Sequence, residues 1–450
     1  MRLAFIRLSV LFFVFYMLFA ERAAAADNIS VIRDAEIESV LKSYIKPMFI
    51  LNGLPPDAAQ IILVKDNSIN AFATSGYRVF VHTGLITSSS SADEVAGVLA
   101  HETGHIAGGH LVRLHDNIRV TSATSLVSAV LGAAVGVLSG RPDVGVAVMM
   151  GGSGSAVASH LRYRQSEENA ADEMAVKTLH KSGYTVKGML QVMNKLIEQE
   201  KISLSPDYKG YLRTHPLTAD RAEFLNNALM NEKGMRTMPL GDEEKFQRIK
   251  AKLIGFLYAP AKVQMIYRKN DTSFPARYAN VIADFRMGLS DSALARLDEM
   301  IRENPKDAFL YELKGQVLFE SGRISESVEE YRKAVKYADE PLIRLGLAFA
   351  LVEAGDKNLT AEALPYLEKN IMQNNADIEA WRLLSIVHAR MGNMGMTYYC
   401  MSEYNFLLGD YENAKIYADK AKIELKQDTS WYIKLLDLMS EIEIVSASEH

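Results

Sequence analysis

The sequence predicts an α+β chain, mostly helical, in which a domain holding a small β-hairpin and sheet is followed by an α-solenoid of helix pairs. Three observations predict it. Short apolar runs cluster between Ile61 and Ile86, the pattern of buried or half-buried strands. Charged text of helical character resumes at Arg162 and runs to about Asn231. From Gly288 onward the chain matches itself under a 34-residue shift, the period of the tetratricopeptide helix–turn–helix. Apolar residues at 48% and charged residues at 23% describe a folded protein rather than a disordered one, and 450 residues leave room for two or three domains. With Lys+Arg 50 against Asp+Glu 55 and a net charge of −5, the chain lacks the basic excess of a nucleic-acid-binding protein, so nucleic acid is excluded as a partner. The single cysteine, Cys400, excludes an intramolecular disulfide framework and any cysteine-rich metal site.

Residues 1–26 read as a cleavable signal peptide: Arg2 and Arg7, an apolar run from Leu8 to Ala20, then Ala23 to Ala26. The run is shorter than the ~20 residues that span a bilayer, so the mature chain is expected to be exported. Ile61–Val64 reads as a buried strand, and Asn70–Ala73 and Tyr77–Val81 as a hairpin turning through Thr74-Ser75-Gly76. Ser91 and Glu94 form an S-x-x-E capping box opening a helix at Ala92, expected to reach about Arg113. Residues 122–158, rich in Ala, Gly, Val and Leu, are marginal for spanning. They read as an apolar hairpin, a lid or a membrane-surface element. The expected domains are a catalytic domain over 27–231, a connector over 232–272 and repeats over 273–442. Phe246–Leu257 is expected as a connecting helix.

Within the repeats, Gly288 aligns on Gly322, Leu297 on Tyr331, Met300 on Ala334 and Ala293 on Ser327. Tyr311, Gly315, Gly322, Tyr331 and Ala334 occupy the bulky, small, turn, aromatic and small positions of the motif. Gly409, Ala414, Ala418 and Ala421 repeat the spacing later, with register slips around Asn358 and Gly392, giving about four units. Stacked helix pairs expose a concave face that binds other chains, so this part reads as a platform for clients or partners.

The chemistry sits at His101-Glu102-Thr103-Gly104-His105, an H-E-x-x-H. Residues four apart share one helix face, so both imidazoles reach one zinc ion with Glu102 beside it. A catalytic zinc takes three protein ligands and keeps one open position. Glu168, with Asp172 one turn on to orient a ligand histidine, is the leading candidate for the third. Glu167 is its rival, and an exposed helix charge is the alternative for Glu168 itself. His215, held extended by Pro216, is either a cleft residue or a structural one. His110 and His115 read as too far along the helix to join the ion, and with His82, His160 and His180 they are expected as surface or packing histidines.

Together, His101-Glu102-x-x-His105, Glu168 through Asp172, and Thr214-His215-Pro216 with Arg221 resemble the M48 (Ste24/HtpX-type) metallopeptidases. The Asn70-Ala71-Phe72-Ala73 strand and Gly84-Leu85 match as well. The export signal and repeat tail narrow the resemblance to the periplasmic BepA/YfgC-like branch. Ala170 departs from the acidic residue often found within E-x-E-A-D, and the tail repeats depart from consensus. The resemblance implies a zincin-type domain with one Zn2+ on His101, His105 and Glu168, Glu102 as general base, and His215 stabilising the oxyanion or filling the fourth position. It implies that Arg221 supports the cleft, and that the task is proteolytic quality control in outer-membrane assembly, on unfolded or misassembled polypeptides. An extended substrate is expected along Asn70, Ala71, Phe72 and Ala73. The tail would meet the assembly machinery, and 122–158 would contact the membrane peripherally or cover the cleft. Two other readings stay open: a periplasmic chaperone or adaptor with a structural zinc, and an integral-membrane peptidase.

Overall fold

The computed structural model describes residues 30–110, 165–202, 215 and 218–448. The signal segment, the apolar stretch 122–158, His115 and His160 lie outside the described residues. The described chain divides into two compact units, one centred on 28–258 with 272–278 and the other on 259–271 with 279 onward.

The first unit holds a four-stranded sheet made of β1 (Val31–Ile32), β2 (Gln60–Val64), β3 (Ala71–Thr74) and β4 (Arg78–His82), in the order β1-β2-β4-β3. β2 and β4 run parallel, while β3 returns antiparallel to β4 with Phe72 opposite Phe80. The turn between them uses positive φ at Gly76 and Tyr77, as a tight antiparallel return requires. Alternation then sorts the side chains: Ile61, Leu63, Ala71, Ala73, Val79 and Val81 are buried, and Phe72 stacks on Phe80 at 4.8 Å on the other face. β1 is too short for its two residues to show a period in the sequence.

Packed with the sheet are α1 (Ala35–Leu51), α2 (Thr83–Ser88), α3 (Ala92–Ala107), α4 (165–181), α5 (Lys187–Ile202), α6 (Ala219–Met230) and α7 (Leu240–Leu257). α3 is buried on nearly every side, so its neighbours come very close. A Cβ on Gly97 would lie 2.8 Å from Met189 of α5, and one on Gly104 would lie 2.7 Å from the Ala171 carbonyl oxygen of α4. The helix starts at Ala92 as expected, but not by a capping box. The Ser91 side chain makes no cap bond, and Glu94 accepts from Lys195 Nζ at 2.6 Å. The Ala92 N–H donates instead to Glu243 Oε2 of α7 at 2.7 Å, and Met238 N–H donates to Asp93 Oδ1. α3 also ends earlier than expected, at Ala107, where Gly108 and then Gly109 at φ 65° turn the chain away. The helix expected as a connector, α7, contributes Phe246, Ile249 and Leu253 to this core. Residues 272–278 belong to the same unit, with Tyr278 Oη donating to the buried Glu36 at 2.8 Å.

The second unit is an α-solenoid. After α8 (Pro260–Ile266) come α9 (Phe274–Arg286), α10 (Ser290–Glu303), α11 (Ala308–Glu320), α12 (Ile324–Tyr337), α13 (Pro341–Glu353), α14 (Lys357–Gln373), α15 (Ile378–Arg390), α16 (Met394–Leu407), α17 (Tyr411–Glu424) and α18 (Ser430–Ser448). The helices α9, α11, α13 and α15 are each 13 residues long, and each opens a unit. A further pair, α17 and α18, extends the four. The register slip has a physical origin: α14 has 17 residues where α10 and α12 have 14. Gly288, Gly322, Gly355, Gly392 and Gly409 make the turns at positive φ. The aromatic position works by wedging, since Cβ atoms on Gly315 and Gly346 would both strike the Tyr331 ring, at 2.9 and 2.7 Å. Among the described residues, no helix is long and apolar enough to cross a membrane.

Candidate metal centre

α3 carries His101 and His105 one turn apart, and α4 lies against it so closely that only glycine fits at 104. That contact brings Glu168 under both imidazoles. His101 Nε2 and His105 Nε2 are 3.1 Å apart. Glu168 Oε2 is 3.3 Å from the first and Oε1 is 3.4 Å from the second. His215 enters from the other side, its Nδ1 lying 3.0 Å from Glu168 Oε1 and 3.3 Å from His101 Nε2. All four side chains are buried, and their donor atoms lie within 4.8 Å of one another. Zinc bonds of ~2.0–2.1 Å at tetrahedral angles separate neighbouring ligand atoms by about 3.3 Å. The separations given above, 3.0–3.4 Å, lie near that value, with no pair beyond 4.8 Å, and two or three histidines with one carboxylate are a zinc donor set. The four residues fit one zinc ion.

A second layer holds the first. Asp172 Oδ1 lies 2.8 Å from His101 Nδ1. Arg221, with no exposed side-chain surface, donates to Asp172 through Nε at 2.6 Å and Nη2 at 3.0 Å, and lies 2.9 Å from Glu168 Oε2 through Nη1. It is therefore buried among the carboxylates. Its place follows from α6, whose N-cap Thr218 accepts from the Arg221 N–H. Glu102 is buried with its Oε1 3.5 Å from His215 Nε2, and the Ala73 backbone faces it. Asn70, Ala71, Phe72 and Ala73 thus form the sheet edge beside Glu102. Asn70 is buried just before β3 and accepts from the His82 N–H through its carbonyl.

Burial opposes charge throughout the site. It opposes charge on Glu168 too, yet His215, His101 and His105 hold that carboxyl far below its ordinary range. Burial also opposes a proton on His101, but Asp172 and Glu168 outweigh it and push the imidazole up to about 10. His105 goes the other way: burial holds it down to about 3, so it stays neutral. An anionic Glu168 and a neutral His105 are the forms that coordinate a metal, whereas a metal on His101 would have to displace the proton that Asp172 and Glu168 favour there. Glu102 is raised above the usual carboxylate value by burial, with His215 and His101 pulling against it. A carboxylate drawn toward neutrality in this way is suited to taking and returning a proton.

Glu167, the rival ligand, lies outside the cluster, half-buried. His82 and His180 stand apart from it, beside Ser68 and Glu232. His110, expected as a surface or packing histidine, lies outside the four-residue cluster but touches one member of it. It is buried, and its Nδ1 lies 2.9 Å from His105 Nδ1. The signal that could have found it is the Gly108-Gly109 pair, which ends the helix and removes His110 from the helical wheel on which it was placed.

A His-Glu-x-x-His helix completed by a glutamate from a second helix defines a zinc metallopeptidase. Residues 32–229 match peptidase family M48. The chain carries an M48 peptidase domain and is a metalloendopeptidase. It is similar to the beta-barrel assembly-enhancing protease of Escherichia coli (strain K12), at 24% identity over 372 residues, covering 81% of this chain and 74% of the relative. The protease of the same name from Yersinia pestis is 25% identical over 73% of this chain and 68% of its own length. Among solved structures, YrrB, a TPR protein with an unusual peptide-binding site, aligns with 43% of this chain and 98% of its own at 19% identity and a TM-score of 0.29.

Proposed function

We propose that this chain is an exported zinc endopeptidase of the periplasm that cuts unfolded or misassembled envelope polypeptides during the assembly of β-barrel outer-membrane proteins, with the solenoid receiving clients or the assembly machinery. The observation that carries the catalytic part is the donor spacing of about 3.0–3.4 Å among His101, His105, Glu168 and His215. The names of the relatives support the assembly role. The working peptidase domain takes in 27–231 together with α7.

His101, His105 and Glu168 would hold zinc, which when bound would supply Lewis acidity to the scissile carbonyl and to an attacking water. Glu102 takes one proton from that water as the oxygen bonds to the carbonyl carbon. When the C–N bond breaks, Glu102 returns the proton to the leaving amine, so water is divided between the two new termini. Asp172 fixes the His101 ring, and Arg221 fixes Asp172 and Glu168. The edge of β3, from Asn70 to Ala73, takes an extended substrate by strand addition beside Glu102, which favours unfolded segments. His215 either donates to the developing oxyanion or holds the fourth position. Its Nδ1 lies among the ligand atoms, which favours the fourth position for this arrangement and a resting enzyme that waits for a client.

Zinc content and casein cleavage, measured side by side on the chain and on Glu102→Gln, test the proposal. Both proteins should bind one zinc, and only the parent should cleave. If both bind zinc and neither cleaves casein or any denatured outer-membrane protein, the adaptor reading replaces this one.

A further inference from the structure

We infer that His110 is a positioning residue for the metal ligand His105, delivered by the Gly108-Gly109 reversal, and that it sets how tightly the site holds zinc. The inference rests on the zinc reading above. Each of the three clustered imidazoles turns one nitrogen inward and presents the other outward. The outer nitrogen of His101 lies 2.8 Å from Asp172, and that of His215 faces Glu102 at 3.5 Å. The outer nitrogen of His105 lies 2.9 Å from His110 Nδ1. A neutral imidazole that coordinates through Nε2 carries its hydrogen on Nδ1 and must donate there. His110 Nδ1 is therefore the acceptor, with its own hydrogen on Nε2. Such outer partners fix the ligand ring and raise its basicity.

The backbone is built for this contact. On a continued helix, His110 would sit about 140° around the axis from His105. The helix stops at Ala107 and Gly109 takes φ 65°, which folds His110 back. Gly108 leaves room for its ring: a Cβ there would lie 2.4 Å from His110 Nε2 and 2.8 Å from Cδ2. The ring then meets His105 edge-on, with centroids 5.0 Å apart and planes at 81°. His110 is 5% exposed, so water does not compete for the bond. The two histidine ligands are consequently backed unequally, His101 by an anion and His105 by a neutral acceptor.

Zinc dissociation constants, measured by chelator competition on the full chain, test the inference. His110→Leu should bind zinc ten- to a hundredfold more weakly. His110→Asn, whose amide oxygen stands in for Nδ1, should return to within about threefold of the parent. Gly108→Ala should also weaken binding, by pushing the imidazole aside. Its backbone φ of −70° suits alanine, so any stability the metal-free protein loses comes from moving that ring and not from backbone strain. A parent that binds no zinc refutes the zinc reading itself. A parent that binds one zinc, with parental affinity in His110→Leu or Gly108→Ala, overturns this inference alone. Equal losses in the Leu and Asn variants overturn it too, by assigning His110 to packing.

Discussion

Arg221 in the peptidase unit and Arg344 in the solenoid both rank among the largest fully buried side chains, and they are held in different ways. Arg221 faces Asp172 and Glu168, two buried carboxylates some fifty residues away in sequence. Arg344 reaches the half-exposed Asp339 within its own connection, the Asn370 amide oxygen at 2.7 Å and the Gln373 side chain. The first is a charge that locks two others under a metal centre. The second is a hydrogen-bond donor that ties the start of α13 to the end of α14. Buried charge therefore serves chemistry in one unit and repeat geometry in the other.

The sharpest way to break that comparison is to remove each guanidinium. Arg221→Leu leaves two buried carboxylates without their cation, and the metal-free peptidase unit should lose about 3–5 kcal/mol. Arg344→Leu leaves neutral acceptors and one solvated carboxylate, at about 1–3 kcal/mol. Urea unfolding measures both, and equal losses would erase the distinction. Both tryptophans of the chain, Trp381 and Trp431, lie in the solenoid. Their fluorescence therefore follows that unit, while zinc affinity follows the other.

Glycines sharpen the contrast at smaller cost. Gly104→Ala must part α3 from α4 and should cost about 1–3 kcal/mol, together with zinc affinity and cleavage, because Glu168 rides on α4. Gly322→Ala puts a Cβ on a residue at φ 77° and should cost about 1–2 kcal/mol. Tryptophan fluorescence should register that loss while zinc affinity stays at its parental value.

The smallest effect concerns pH. His388 in α15 is buried, and neither ring nitrogen has a hydrogen-bond partner among the described residues. Burial holds its pKa below the ordinary 6.5. Above 6.5 both folded and unfolded chains are neutral there. Below it the unfolded chain takes a proton that the fold refuses, so solenoid stability falls as pH drops from 6.5 toward the folded value. His388→Leu should flatten that slope in tryptophan-monitored unfolding curves from about pH 7.5 to about pH 5.

The repeats were legible because their contacts are local: a turn glycine, a small residue and an aromatic at fixed spacing describe most of what each helix touches. The slip at Asn358 was visible too, although only the structure ties it to the greater length of α14. At the metal centre, spacing brings out His101, Glu102 and His105 and makes Glu168 with Asp172 the leading candidates, while His215 stays open between two readings, and the family resemblance adds a role for His215 and Arg221. What stayed hidden depends on pairings far apart in the chain. Ser91 and Glu94 satisfy a local capping rule, yet Glu243, 151 residues on, holds the helix start. The contact of His110 with His105 is hidden for another reason: the helical wheel stops applying at Gly108, where the helix has ended.

The tie between Ala92 and Glu243 also bears on how the molecule can be dissected. The M48 family match ends at residue 229. The bond that seats the first turn of the catalytic helix, and the anchors Phe246, Ile249 and Leu253 of the same core, come from α7. A chain cut after Met230 loses that seat, whereas one cut after Tyr278 keeps it together with the Tyr278–Glu36 hydrogen bond of the same unit.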